Sequence, residues 1–319
     1  MQERAALKEG DIVTDIELPE ALLMRWVEET IGRFRVVSRY AHSHGCSHLW
    51  RLQADREFFW LKRHQSPGKC AGEAHALTRW TPALNLAAPQ VRGYRTEPVA
   101  LLLTEASGEM ASAVDLEPVA EARLWRAAGA YLARLHALEN DWLGAIHLDG
   151  SVQGQRCEDP VRFVRQSLES RLAQGAAQDL FDAGEREFIR YGMDAWTAAL
   201  ADETPRAIHR DYSPRNWMTD ASGRLNAVID FEHSRWDVRA ADLNRWWDTD
   251  FLEKPVLAEA FFDGYQGAMP DEKLWAQILA LRLLGAAAGI VWATRVGDAP
   301  YVQVNREALH RLMQEQRGR

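Results

Sequence analysis

A chain of 319 residues, 47% hydrophobic, holds enough apolar material for one large domain or two lobes. Its net charge of −8 leaves no basic excess with which to neutralise nucleic-acid phosphates. Residues 1–106 carry 14 Lys and Arg against 13 Asp and Glu, whereas residues 107–319 carry 24 against 33, an acidic balance that suits either a cationic ligand or simple solubility. Cys46, Cys70 and Cys157 are odd in number and lack metal-ligand spacing, which predicts free thiols in a reducing cytoplasm.

In chain order, Met1-Gln2-Glu3-Arg4 offers no apolar signal core. Leu22, Leu23, Trp26, Val27 and Ile31 give Pro19–Ile31 a helical period. Arg33–Tyr40, His48–Ala54 and Glu57–Lys62 are short runs rich in Val, Phe, Trp and Leu, parted by turn-like residues, and predict an antiparallel meander. A helix is expected over Cys70–Thr81, then strands at Val91–Tyr94 and Val99–Thr104 and a hinge near Thr104–Gly108. From Pro118 helices dominate, with Glu121–Leu138 followed by Pro160–Ala173, Gly184–Leu200, Val256–Gln266, Glu272–Thr294 and Asn305–Gln316. Gln277 and Arg282 interrupt the apolar run Leu274–Val296, so a buried helix is expected there and no membrane partner. One β island breaks the series: Asn216–Thr219 and Leu225–Asp230 flank the turn Asp220-Ala221-Ser222-Gly223.

The chemistry concentrates in His209-Arg210-Asp211-Tyr212-Ser213-Pro214-Arg215-Asn216 and, past the hairpin, Ile229-Asp230-Phe231-Glu232. Asp211 follows a strand end and precedes a proline, a loop setting in which a carboxylate can take the proton of a hydroxyl nucleophile. Asn216 opens one hairpin strand and Asp230 ends its partner, so an amide oxygen and a carboxylate can converge on magnesium. Asp-x-x-x-x-Asn with a following Ile-Asp is the oxygen set that phosphoryl transfer from a nucleoside triphosphate requires.

These residues resemble the catalytic centre of the aminoglycoside phosphotransferase/choline kinase family, which shares its fold with the protein kinases. The resemblance implies an α+β, bilobal protein-kinase-like fold, with a small antiparallel-β nucleotide lobe over residues 1–106 and a larger helical catalytic lobe over 107–319. The family usually reads His-Gly-Asp, and here Arg210 replaces the glycine. The resemblance makes Asp211 the base, Asn216 and Asp230 the Mg2+ ligands, and ATP or GTP the phosphoryl donor. Glu232 then falls just behind the metal aspartate, within reach of a metal-bound water. Trp236-Asp237-Val238-Arg239-Ala240-Ala241-Asp242-Leu243 is similar to the family's Gly-Asp-Pro-x-x-Asp-Leu, which makes Asp242 a brace for the catalytic loop. His209 is expected to organise that loop, and His136 to lie in the core.

In the first lobe Lys62 closes an apolar strand and is expected to clamp the nucleotide phosphates, held by Glu73 on the next helix, with Lys69 as the fallback. The turn carrying Ser43 and Ser47 is the expected phosphate-covering loop, and the hinge residues Leu103, Glu105 and Ala106 the expected base-binding edge. Asp242 follows Asp230 by only twelve positions, too few for a peptide-docking platform, so a small-molecule hydroxyl is the expected acceptor. Trp217, Trp236, Trp246 and Trp247, with Asp237, Asp248 and Asp250, are read as an acidic, aromatic-walled acceptor pocket. The implied substrate is an antibiotic of aminoglycoside, cationic peptide or nucleoside type, acted on by a monomer or homodimer. A metabolic kinase for choline, homoserine or a sugar, and a non-catalytic nucleotide-binding protein, remain the alternatives.

Overall fold

The computed structural model describes residues 18–41 and 47–317. Helix α1 (Leu18–Ile31) leads into strands β1 (Arg35–Ala41), β2 (Ser47–Ala54) and β3 (Glu57–His64). Helix α2 (Pro67–His75) follows, N-capped by the Ser66 hydroxyl, with Pro67 at its first position. It runs on through a π-helical turn, Ala76–Trp80, into the short α3 (Thr81–Ala83). Pro82 has no amide hydrogen to donate, and the Thr81 amide reaches back to the Ala76 carbonyl, one residue further than in an α-helix. Strands β4 (Val91–Thr96) and β5 (Val99–Thr104) complete an antiparallel sheet of order β1-β2-β3-β5-β4.

Strand alternation divides this sheet between two cores. Phe59, Leu61, Ala100 and Leu102 face α1 and pack with its Leu23 and Val27, while Leu101 and Leu103 join the main core with Cys70, Ala74 and Leu77. Lys62 lies one residue from Leu61 and so falls on the inner face, paired in register with Leu49 and Leu101.

Strand β6 (Glu109–Met110) follows the hinge, and then α4 (Pro118–Leu135), α5 (Pro160–Ala176) and α6 (Ala183–Trp196). Four short strands come next: β7 (Arg206–Ile208), β8 (Trp217–Thr219), β9 (Leu225–Val228) and β10 (Arg235–Asp237). β7 pairs with β10, and β8 pairs with both β6 and β9. Helices α7 (Asp250–Glu253), α8 (Pro255–Gln266), α9 (Glu272–Val296) and α10 (Ala299–Arg317) end the chain.

Helix α9 is long and apolar enough to cross a membrane, but most of it is buried inside this protein, against α5, α6 and α10. Its Arg282 meets Asp248 at 2.8 Å and Glu315 at 3.1 Å, which compensates a charge placed in the core. Helices α4 and α8 touch backbone to backbone through two glycines. A Cβ on Gly129 would meet the Phe261 carbonyl oxygen at 2.0 Å, and one on Gly264 would meet that of Arg126 at 2.0 Å. Gly129→Ala and Gly264→Ala are each expected to cost about 1–3 kcal/mol by forcing the helices apart. Urea denaturation checks this, and unchanged midpoints would show that the contact yields freely.

Candidate active site

The site lies in a cleft of about 1820 Å³ between the inner face of the sheet and the helices. On the sheet side the Lys62 ammonium is 2.9 Å from Glu73 of α2, 2.5 Å from Asp230 and 2.9 Å from Glu232. These carboxylates arrive from two directions, Glu73 from below the sheet and the other pair from the turn after β9. Burial works against the charge on Lys62, and the attraction of Asp230, Glu73 and Glu232 outweighs it, holding its pKa well above the usual lysine value. Burial likewise opposes the charge on Glu232, and Lys62 overcomes it and draws the carboxyl down to about 2. Lys69 reaches the outer oxygen of Glu232 at 3.1 Å. Glu232 thus binds both lysines, a role its place in the sequence did not suggest. His64, Glu73 and Glu232 approach one another closely enough to hold a metal, but the Lys62 ammonium stands between the two carboxylates.

On the helical side, β7 delivers the chain to His209, Arg210 and Asp211. Arg210 sits at φ +65° and Asp230 at φ +68°, left-handed conformations that are uncommon for such residues. At position 210 this is a conformation that glycine adopts without strain, in keeping with the His-Gly-Asp pattern that the resemblance implies. Asp242 holds the turn by accepting from the amides of His209 at 2.8 Å and Arg210 at 2.5 Å, and it is 3.1 Å from His136. Those donors keep the buried Asp242 carboxyl below the usual range against the opposing effect of burial. His209 Nε2 lies 3.0 Å from the Ile229 carbonyl, and its Nδ1 accepts from the Asp211 amide at 3.3 Å. The imidazole therefore ties the loop to the hairpin. His136 is buried between Asp242 and the Tyr265 hydroxyl, the core position expected of it.

The Asn216 side-chain nitrogen donates to the Asp211 carbonyl at 2.8 Å and to its carboxylate at 3.1 Å. That leaves the Asn216 side-chain oxygen for another ligand. The Ile229 amide donates to the Asn216 carbonyl at 2.9 Å, so Asp230 follows directly after the residue bonded to Asn216. A carboxylate and an amide oxygen on adjoining strand ends, flanked by a second carboxylate, are hard oxygen donors that fit Mg2+.

The expected phosphate-covering loop falls largely outside the described residues: Ser43 does so entirely, and Ser47 with respect to its side chain. At the hinge, Leu103 lines the cleft. The Glu105 amide donates to the Phe58 carbonyl, and its carboxylate binds Arg51 at 2.7 Å and the Trp60 indole at 3.2 Å. Glu105 therefore has neither its amide nor its side chain available for a base, whereas the Ala106 amide has no backbone partner among the described residues.

The acceptor pocket read from the sequence needs correction. Trp246 borders the cleft but is only 2% exposed and, with the fully buried Trp217, packs in a core of Trp125, Phe251 and Phe261. Trp236 packs at an angle against Trp80 and edge-on against Trp142, and it does not line the cleft. Asp237 is 1% exposed, bonded to Arg235 and to the Val238 amide. Asp248 does line the cleft, but its carboxylate is held by Arg282 and Arg311 at 2.8 and 3.2 Å. Besides Trp246, the aromatic residues lining this part of the cleft include Trp292 and Tyr301 of the last two helices.

One residue at the site carried no sequence signal. Arg245 places a guanidinium nitrogen 3.0 Å from the Asp211 carboxylate and donates to the Arg210 carbonyl at 3.1 and 2.9 Å. It stands in a loop without periodicity, and only its position three residues after Asp242 ties it to the catalytic turn.

No curated protein matches the chain in sequence. Among solved structures, it is similar to the aminoglycoside phosphotransferase APH(4)-Ia, with a TM-score of 0.71 and 12% identity over 92% of this chain and 98% of that one. The gentamicin complex of APH(2")-IIa gives a TM-score of 0.63 and 16% identity over 93% of this chain and 97% of that one. Macrolide 2'-phosphotransferase type I gives 0.63 and 14%, over 93% and 99%. At these identities the likeness establishes the fold, the bilobal kinase-like arrangement of a β-sheet lobe on a helical one. The model of the phosphotransferase enzyme family matches residues 41–278, well over half of the sequence. The chain belongs to that phosphotransferase family.

Proposed function

We infer that this protein moves the γ-phosphate of ATP or GTP to a hydroxyl of a small molecule of the antibiotic class. The observation that carries this reading is the joining of Asp211, Asn216 and the Ile229–Asp230 strand end beneath the Lys62–Glu73 pair. Phosphoryl transfer asks a protein mainly for position and charge neutralisation, and each part has a candidate here. Lys62, on the lobe of residues 1–106, takes the α- and β-phosphates once Asp230 turns to metal. Asn216 and Asp230 are the Mg2+ ligands, and the ion supplies neutralisation of the phosphate charge when bound. Asp211 takes the acceptor proton as the new oxygen–phosphorus bond forms and the bond to the β-phosphate oxygen breaks. The base rests near Leu103 and the Ala106 amide, and the turn around Ser43 and Ser47 covers the phosphates. The helical lobe, residues 107–319, holds the acceptor.

Related folds have been solved with GDP and kanamycin, and with AMP-PNP and hygromycin B, which supports a nucleotide donor and an antibiotic acceptor. The segment between Asp230 and Asp242 is filled by β10 and a 3-10 turn and leaves no peptide platform. The test is consumption of ATP and of GTP across a panel of hydroxylated antibiotics, with and without a chelator. Metal-dependent consumption with one acceptor class is expected. A trace that stays flat for every nucleotide and acceptor would return the chain to the role of a binding module.

A further inference from the structure

Around the catalytic turn three arginines, Arg210, Arg235 and Arg245, stand with three aspartates, Asp211, Asp237 and Asp242, but they do not pair one to one. Arg245 is met by Asp211, and Arg235 by Asp237. Asp242 is occupied by two backbone amides and His136. Arg210 is left over. Its guanidinium lines the cleft and forms no ion pair or hydrogen bond among the described residues. The proximity of Arg235, and then burial, push its pKa down to about 9.

The unpaired guanidinium has like charges among its neighbours. Arg210 is surrounded by Arg235 and Asp237 of β10 and by Arg245 and Asp242 beyond it. Arg235 in turn sits under the Phe163 ring of α5, 5.1 Å from its centre. Lys62 and Lys69 serve the opposite side, at Asp230 and Glu232. The unpaired guanidinium is thus grouped with β10 and the Arg245 loop of the helical lobe, which is proposed to hold the acceptor, and not with the lysines proposed to meet the nucleotide's phosphates. Like charges held together in a partly buried site are costly unless an anion joins them, and the arginine fork matches carboxylate and phosphate oxygens.

We propose that the acceptor bears an anionic group, a carboxylate, sulfate or phosphate, beside the hydroxyl that is phosphorylated, and that Arg210 binds it with Arg235 and Arg245 alongside. This rests on the phosphotransfer reading and narrows its substrate class. It also replaces the expectation of an acidic pocket for a polycation with one of a basic subsite next to the base.

The probe is inorganic sulfate at constant ionic strength, added to the protein saturated with AMP-PNP and Mg2+ so that the nucleotide's own phosphate sites are filled. Binding is followed by the thermal midpoint. Sulfate is expected to bind saturably, and Arg210→Gly, which suits the left-handed backbone, to weaken it about tenfold or more, the worth of one charged hydrogen bond. Arg210→Lys is expected to fall between, and AMP-PNP affinity to stay within about twofold, since no phosphate-side contact is removed. Equal sulfate affinity in wild type and Arg210→Gly overturns the proposal. So does a loss of AMP-PNP affinity in that variant, which would assign the guanidinium to the nucleotide. If AMP-PNP fails to bind the wild-type protein, the phosphotransfer reading falls and this one with it. If it binds and sulfate does not discriminate, only the anionic subsite is lost. Hydroxyl acceptors in carboxylate and carboxamide pairs give the second readout. The carboxylate member is expected to have the higher kcat/KM in wild type, and the preference to vanish in Arg210→Gly. A carboxamide preference in wild type contradicts the proposal.

Discussion

Asp211→Ala is expected to lower turnover by about 10²–10⁴-fold while AMP-PNP still binds with wild-type affinity. The transition state of phosphoryl transfer is loose, so the base is asked less for nucleophile strength than for a place to put the proton and a fixed direction of attack. The surroundings of Asp211 are built for direction. Asn216 holds one carboxylate oxygen and the backbone carbonyl, and Arg245 holds the other oxygen. Removing the carboxylate leaves Lys62, Glu73 and Asp230 in place, so nucleotide binding and turnover part company. Asp211→Asn keeps the shape and the contact to Arg245, and is expected to be nearly as inactive, because an amide cannot accept the acceptor proton. Single-turnover rates with saturating nucleotide measure this. Activity within a few-fold of wild type in both variants would remove Asp211 from the role of base.

Lys62→Met is expected to abolish nucleotide-dependent turnover and to cost about 3–5 kcal/mol of stability. Lys62 is 5% exposed, and its ammonium is the common partner of Glu73, Asp230 and Glu232. A methionine fills the volume but leaves three clustered carboxylates without their cation. The acid limb of the stability curve gives an independent signature. Against burial, Lys62 holds the carboxyls of Asp230 and Glu232 below their ordinary values, Glu232 at about 2. Their contribution is therefore complete above the ordinary carboxylate pKa of about 4.3 and is lost as pH falls from there toward the folded values. In Lys62→Met that loss is expected to shrink, since the depression has lost its cause. Thermal midpoints from pH 2 to 7 for both proteins check the sign, and parallel curves would deny the bridge its energetic role.

What the sequence disclosed and what it hid have separate physical grounds. The places of Asp211, Asn216 and Asp230 were legible because each adjoins a short strand, and element ends follow from apolar period and turn chemistry, whereas Lys62 and Glu73, inside β3 and α2, were legible from the order of strand and helix. The order of strand, helix and hairpin then brings them together. The tryptophans were not legible as pocket or core. Trp217 and Trp246 are fully apolar in their contacts, and a count of aromatic residues near a motif carries no direction. Asp237 is different, because Arg235 and Asp237 lie two apart on a strand and share a face, so their pairing was open to inference once β10 was recognised. That strand is only three residues long and its partner β7 lies far back in the chain, which leaves no local period to find. Helix α10 starts at Ala299, ahead of the expected Asn305, because Pro300 sits in its first turn, where a missing amide hydrogen is harmless. Arg210 was legible as a departure from glycine. Its meaning required the neighbours that only folding supplies.

The two-residue strand β6 fixes how the halves of the molecule are free to rock. It leaves the hinge and bonds at once to β8, and Gly108 passes so close that a Cβ there would lie 2.5 Å from the Thr219 carbonyl oxygen. The pivot is thereby confined to the few residues upstream of it. Asn216 and Asp230 travel with the helical half, Lys62 and Glu73 with the sheet, and every opening swing pulls on the bonds from Lys62 and Lys69 to Asp230 and Glu232 that span the gap. Those bonds are a clasp, and the proposed triphosphate donor unfastens the one between Lys62 and Asp230 before its own oxygens take its place.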